Sequence, residues 1–186
     1  MNARWGVGAI GLGLAAWAVL HCVRRADAPR PPRTVVLVTL DTVRADRLGA
    51  YGSTAGLTPN LDRLAAEGVR FSRCLTVAPI TLPAHASILT GLDPIEHGVR
   101  LNGAFALDAS VPTLATQLRE HGYTTGAFVS AFVLDRRFGL DEGFDVYDDH
   151  LVDGAGTDDL GPEERRGEAT VVRALEFVDR AGDQPC

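Results

Sequence analysis

Three side chains carry the chemistry this sequence offers: the hydroxyl of Thr81, the carboxylate of Asp41 and the imidazole of His85. Thr81 lies in "VAPITLPAHASILTG", two residues before Pro83, and proline suits the first turn of a helix that would run to the Gly91 stop. A helix start gathers unpaired N–H groups and the positive end of the macrodipole. An oxyanion is favoured there, as is an alkoxide on the threonine itself. The plain alternative is a hydroxyl that caps the helix. Asp41 closes the apolar run "TVVLVTL", Thr34 to Leu40, whose β-branched composition predicts a strand buried on both faces of a parallel sheet. Ligands bind at the carboxyl edge of such sheets, although an aspartate there also serves as a simple turn cap. His85 follows Thr81 by four residues, about one helical turn, close enough to act as a base or hydrogen-bond donor or to be satisfied within its own helix.

Positioning these groups requires alternating strands and helices. "TPNLDRLAAEG" reads as a helix with Thr58 as N-cap, Pro59 first and Gly68 as stop, with Leu61, Leu64 and Ala65 on one face. "VRFSRCLTV" alternates from Val69 to Val77 as a strand does. "SVPTLATQLREHG" reads as a helix capped at Ser110 or Val111, with Leu114 and Leu118 inward and Gly122 closing it. "YTTGAFVSAFV" is a further strand and "FGLDEGFDVYDD" a loop, in which Asp145 belongs to a turn or specificity loop. The acidic run Asp148, Asp149, His150 reads as a solvated loop before a metal cluster. A last helix from Pro162 to Ala181 places Val171, Leu175 and Val178 on one packed face, with "EERR" as its solvated side. Arg44 pairs with Asp46 on the surface or stands near the anion, and His97 in "EHGV" has a structural role. The alternation predicts an α/β fold, and no internal repeat is visible.

Composition narrows the function classes. The net charge is −6 and the pI about 5.3, which argues against nucleic acid as a partner. All eighteen basic residues are arginines, so a mechanism that grips an anion must do so without lysine. Cys22, Cys74 and Cys186 are far apart and show neither zinc-site nor disulfide-framework spacing. The N-terminus differs in kind: an apolar run from Trp5 to Val23 is followed by Arg24 and Arg25. Its length suits an uncleaved membrane anchor, while a cleaved signal and a buried helix remain alternatives. The chain is expected to be membrane-anchored or exported. Arginines after the span would hold the remainder in the cytoplasm, whereas a leader usually serves export, so the orientation stays open. The expected organisation is a leader over 1–25, a stiff Pro/Arg linker over 26–33 and one α/β domain over 34–186.

"VVLVTLDTVRADRLGAYG", "TPNLDRLAAEGVRF", "TLPAHASILTGLDPIEHGV", "VPTLATQLREHGYTT" and "FGLDEGFDVYDD" occur in the order found in sulfatases, and from about Val35 to Asp149 the chain resembles the N-terminal part of that family. The resemblance implies an alkaline-phosphatase-like three-layer sandwich with a mostly parallel sheet, acting on sulfate or phosphate esters with a divalent metal. It matches Asp41 to the metal-binding aspartate at the end of the first strand, and Thr42 stands where a second aspartate is common. The family's nucleophile lies in a C/S-x-P-x-R motif and is converted to formylglycine. Here the motif reads Thr81-Leu82-Pro83-Ala84-His85. Threonine is no substrate for that conversion, so formylglycine is not expected. Related phosphodiesterases and phosphotransferases use an unmodified threonine, which implies that Thr81 ligates the metal and attacks sulfur or phosphorus as an alkoxide. His85 takes the place of the motif's arginine. The family's G-K-W-H segment falls near Ser130 and Phe132, which replace neither its lysine nor its histidine.

The remaining metal ligands of the family come from its C-terminal half. The resemblance therefore reads the domain as C-terminally incomplete, poorly soluble alone and a weak hydrolase by itself. A catalytically silent, membrane-tethered domain is the rival reading. Ca²⁺ or Mg²⁺ is the expected ion, with Zn²⁺ or Mn²⁺ as alternatives. Such hard cations take about six oxygen ligands, more than Asp41 and Thr81 supply.

Overall fold

A computed structural model describes residues 33–151 and 164–186. The apolar run from Trp5 to Val23, and with it the expected leader, lies outside the described residues. Among the described residues no helix is long and apolar enough to cross a membrane.

The chain first runs extended to Leu40, then passes through two single 3₁₀ turns, Ala45–Arg47 and Gly49–Tyr51. Helix α1 (Pro59–Glu67) begins and ends where its sequence requires, after Thr58 and at Gly68. Pro59 has no N–H to waste at the first helical position. Helix α2 (Thr81–Thr90) stops at Gly91, whose φ of +72° is a left-handed cap that a side chain would oppose. Helix α3 (Pro94–His97) is a single turn closed by an Asp93–Glu96 capping box. Helix α4 (Leu114–Glu120) precedes strand β1 (Gly126–Phe128), strand β2 (Val146–Asp148) and helix α5 (Gly167–Ala181). β1 and β2 pair in parallel, with Gly126 opposite Val146 and Phe128 opposite Asp148. A parallel strand–helix arrangement is the α/β class that the sequence predicts.

The core is built around α2. Leu82 and Ala86 pack with Val99, Leu107, Leu134, Phe138 and Leu140. Phe132 and Phe138 meet edge to face with ring centroids 5.7 Å apart. Gly139, at φ +74°, lets the chain pass against Leu107: a Cβ there would lie 2.3 Å from the Leu107 carbonyl oxygen. α5 covers β1 by setting Phe177 against Gly126 and Phe128.

Several expectations are corrected. The Thr34–Leu40 run is not buried on both faces: Val36 is 70% and Val38 71% exposed. Burial requires neighbours on both sides, and among the described residues only Pro185 and Cys186 run beside its first residues. Val69–Val77 forms no strand, and Val69, Phe71, Leu75 and Val77 are exposed for the same reason. α4 is capped by Thr113 rather than Ser110 or Val111. The Thr113 hydroxyl accepts from Thr116 N–H at 3.1 Å, a bond that neither earlier residue makes. Ala115 is the buried residue of that helix, while Leu114 is exposed.

α5 packs a different face from the one predicted. Thr170, Ala174, Phe177, Val178 and Ala181 are half-buried, whereas Val171 and Leu175 face solvent. The bulk of Phe177 against a glycine decides the rotation. Of "EERR", Glu164 and Arg166 are exposed as expected, but Arg165 is buried. Its guanidinium donates to Asp148 Oδ1 (2.9 Å), Val129 O (2.8 Å) and Thr170 Oγ1 (3.0 Å). Asp148 and Asp149 are likewise not a free acidic loop. Asp149 takes a bidentate Arg136 guanidinium at 2.8 and 2.9 Å, which holds its carboxyl down at about 2.

Candidate functional site

Thr81 is the first residue of α2 rather than a residue before it. Ile80 is the extended N-cap, and its carbonyl accepts from Ala84 N–H at 3.1 Å. Leu82 and Pro83, both buried, seat this first turn on the core, so the hydroxyl rides on a fixed element. The backbone donors expected to converge on an anion are mostly spent. Leu82 N–H donates to Asn102 Oδ1 at 2.9 Å, Pro83 has none, and Ala84 N–H closes the turn. Among the described residues, Thr81 N–H is the first-turn amide left open. Asn102 was not identified from the sequence; a side-chain cap twenty residues downstream leaves no local signal.

Thr81 Oγ1 donates to Asp41 Oδ2 at 3.0 Å. The two residues are forty apart in sequence and meet because the extended segment ends beside the start of α2. Asp41 is exposed and Thr81 half-buried. The next residue, Thr42, has φ +56°. A β-branched residue is rarely left-handed, and the conformation costs about 1 kcal/mol or more. This turn aims the carboxylate.

His85 lies on the same side of α2. Its Nδ1 sits 2.8 Å from the Thr81 carbonyl oxygen, and its Nε2 sits 3.1 Å from Thr39 Oγ1. A carbonyl only accepts, so Nδ1 carries a proton, and in the neutral ring Nε2 accepts from the Thr39 hydroxyl. His85 is thus spent on the Thr81 backbone and on Thr39, with neither nitrogen bonded to the Thr81 hydroxyl. Asp41–Thr81 and Thr39–His85 form two rungs between the extended segment and α2.

Other residues fall elsewhere. His97 is buried; its Nδ1 accepts from Val99 N–H (3.1 Å), so Nε2 donates to Ser87 Oγ (2.9 Å). That is a brace between α2 and α3, and desolvation lowers its pKa from the usual 6.5. Arg44 is taken by Asp46 at 2.8 and 3.0 Å in an exposed pair. Asp145 Oδ2 accepts from Thr125 N–H at 2.9 Å and fixes the turn into β2. A surface depression of about 300 Å³ is lined by Tyr51, Phe71, Cys74 and Leu75 and includes none of Asp41, Thr81 and His85.

The donor types at Asp41 and Thr81 suit a hard cation such as Ca²⁺ or Mg²⁺. Two oxygens are fewer than such a cation takes, and among the described residues no three His, Cys, Asp or Glu side chains gather as a metal site.

A family model described as Sulfatase matches residues 33–184. N-acetylgalactosamine-6-sulfatase of rat is 41% identical over 87 residues, 47% of this chain and 16% of the relative. Rat steryl-sulfatase is 37% identical over 111 residues, covering 54% and 19%, and human arylsulfatase D 34% over 113 residues, covering 55% and 19%. The chain thus spans less than a fifth of the length of these relatives. A sulfatase crystal structure from Bacteroides thetaiotaomicron superposes with a TM-score of 0.57 at 26% identity, over 76% of this chain and 31% of that one.

Proposed function

The chain belongs to the sulfatase family, and from that premise we propose that it supplies the nucleophile side of a metal-dependent site hydrolysing sulfate esters. Its fold is the alkaline-phosphatase-like α/β fold of those neighbours, in part. The single observation that carries the reading is the 3.0 Å hydrogen bond from the Thr81 hydroxyl to Asp41 at the start of α2.

The proposed chemistry follows from the donors. Asp41 accepts the Thr81 proton along a set direction, so the oxygen's lone pairs point away from the carboxylate toward an incoming ester. A divalent ion held by Asp41 and Thr81 would lower the hydroxyl pKa and offset the ester's negative charge. The open Thr81 N–H and the positive end of α2 favour the same charge. His85 fixes the Thr81 carbonyl and hence the rotation of the first turn; its role is positioning. With two protein oxygens on the ion, turnover by these 186 residues alone is expected to be slight. The names of the relatives span sulfated sugar and steroid, so the substrate class is proposed only as a sulfate ester.

Phosphoryl transfer is the second reading, favoured by one observation: residue 81 is threonine, an unmodified alcohol rather than a precursor of formylglycine. The test is Mn²⁺ titration of the full chain followed by NMR line broadening, with aryl sulfate and aryl phosphodiester turnover assayed alongside. Selective broadening at Asp41 and Thr81, lost in Asp41→Asn, is expected. Broadening unchanged in that variant would refute the metal role. Phosphodiester turnover that exceeds sulfate turnover and disappears in Thr81→Ala would favour the second reading.

A further inference from the structure

We propose that Asn102–Gly103 is a self-deamidating site, at which the folded chain converts Asn102 to aspartate or isoaspartate and so places a new negative charge at the start of α2. The two residues lie in an exposed turn between α3 and α4. The reaction needs an electrophilic side-chain carbonyl, an unhindered backbone nitrogen one residue on, and water. The turn supplies each of them.

The carbonyl is polarised. Asn102 Oδ1 accepts from Leu82 N–H at 2.9 Å, and that donor fixes which atom of the side-chain amide is the oxygen. Leu82 N–H belongs to the first turn of α2, where the helix carries its positive end. A fixed N–H aimed at a carbonyl oxygen favours the charge that develops there when a nucleophile adds, as an oxyanion hole does. Among the described residues Asn102 Nδ2 donates to no acceptor, so nothing holds the group that must leave.

The nitrogen is open. Among the described residues Gly103 N–H donates to no acceptor. Gly103 has φ +72°, and a Cβ built on it would meet nothing within 4 Å, so solvent reaches the turn. Glycine adds no side chain of its own to block the approach. Asn60 is the contrast, since it is held within α1 and is followed by Leu61.

The step balances as a hydrolysis. Gly103 N attacks Asn102 Cγ, the new C–N bond closes a succinimide ring, and the Cγ–Nδ2 bond breaks. The Gly103 N–H proton leaves with the amide nitrogen as ammonia. Water, the sole co-reactant, then opens the ring at either carbonyl and leaves aspartate or isoaspartate. The aspartate product keeps an acceptor for Leu82 N–H, and its charge suits a helix start. The same charge offsets the positive end of α2 beside Thr81. The deamidation itself is independent of the ester chemistry, since neither Thr81 nor His85 takes part.

The test incubates the full chain in water carrying heavy oxygen at mildly alkaline pH, folded or unfolded in urea, and follows the Asn60 and Asn102 peptides by mass spectrometry. Loss of ammonia with uptake of one heavy oxygen is expected at Asn102 and not at Asn60, at a rate in the folded chain no lower than in the unfolded one. Gly103→Ala is expected to slow the conversion about tenfold or more, equivalent to about 1.4 kcal/mol of barrier. A folded-state rate below that of the unfolded chain, or equal conversion at Asn60, would overturn the proposal, and neither result depends on a variant that folds. An unchanged rate in Gly103→Ala would overturn it as well.

Discussion

Replacing Arg165 with methionine tests how helix α5 is held to the sheet. The guanidinium is 2% and the Asp148 carboxylate 15% exposed, with Nη1 to Oδ1 at 2.9 Å. Arg165 also donates to Val129 O and Thr170 Oγ1, and its own N–H donates to Ser130 O. Methionine keeps much of the volume but leaves Asp148 largely desolvated without its cation and the Val129 carbonyl without its donor. Breaking one side of a buried ion pair costs about 3–5 kcal/mol. The residual exposure of Asp148 lets water relieve some of that, so a loss of about 3 kcal/mol is expected. Asp148→Asn should cost a similar amount, whereas the double variant Arg165→Met/Asp148→Leu should recover most of it, because no charge is then left buried. Urea unfolding followed by far-ultraviolet circular dichroism measures all three. The losses should change little between low and high salt, unlike those of an exposed pair. A cost below about 1 kcal/mol for Arg165→Met, or additive losses in the double variant, would refute the reasoning that this pair is desolvated and coupled.

Two further outcomes are expected. Asn102→Ala leaves Leu82 N–H unsatisfied and should cost about 1 kcal/mol of stability, while Asn102→Asp keeps an acceptor and should restore it; thermal melts of both variants check this. His97 has its pKa lowered by burial, so the unfolded chain takes up its proton first. Stability should therefore hold above the ordinary value of 6.5 and fall as pH drops below it toward the folded pKa. His97→Gln, compared with the parent by urea melts at several pH values, should flatten that slope, and an unchanged slope would assign it to another group.

Much of the local grammar was legible in the residues. Pro59 opens α1 and Gly68 closes it, and the left-handed Gly91 ends α2, because a proline's fixed φ and a glycine's freedom act within a few residues, although the Thr58 hydroxyl makes no cap bond to the helix. The strands were less legible. The run Thr34–Leu40 has the composition of a buried strand, yet burial belongs to the neighbours, and the described residues supply few. α5 carries apolar residues on two faces, Val171 and Leu175 on one and Ala174 and Phe177 on the other; the glycine at 126 chooses between them. Arg165 looked like any exposed arginine in a charged run, since its partners lie seventeen and thirty-six residues away.

By itself the sequence determined the α/β class, the family and the residue types available for chemistry, because these are carried by local periodicity and by motifs read in order. Tertiary structure alone decided that Asp41 meets Thr81 across forty residues, that His85 turns to the Thr81 carbonyl and Thr39, and that Asn102 spends a helix-start amide. The physical reason is range. Caps and turns are fixed by neighbours along the chain, whereas a hydrogen bond between the residue after the Thr34–Leu40 run and a distant helix exists only once Leu82 and Ala86 have packed against the core and set where that helix begins.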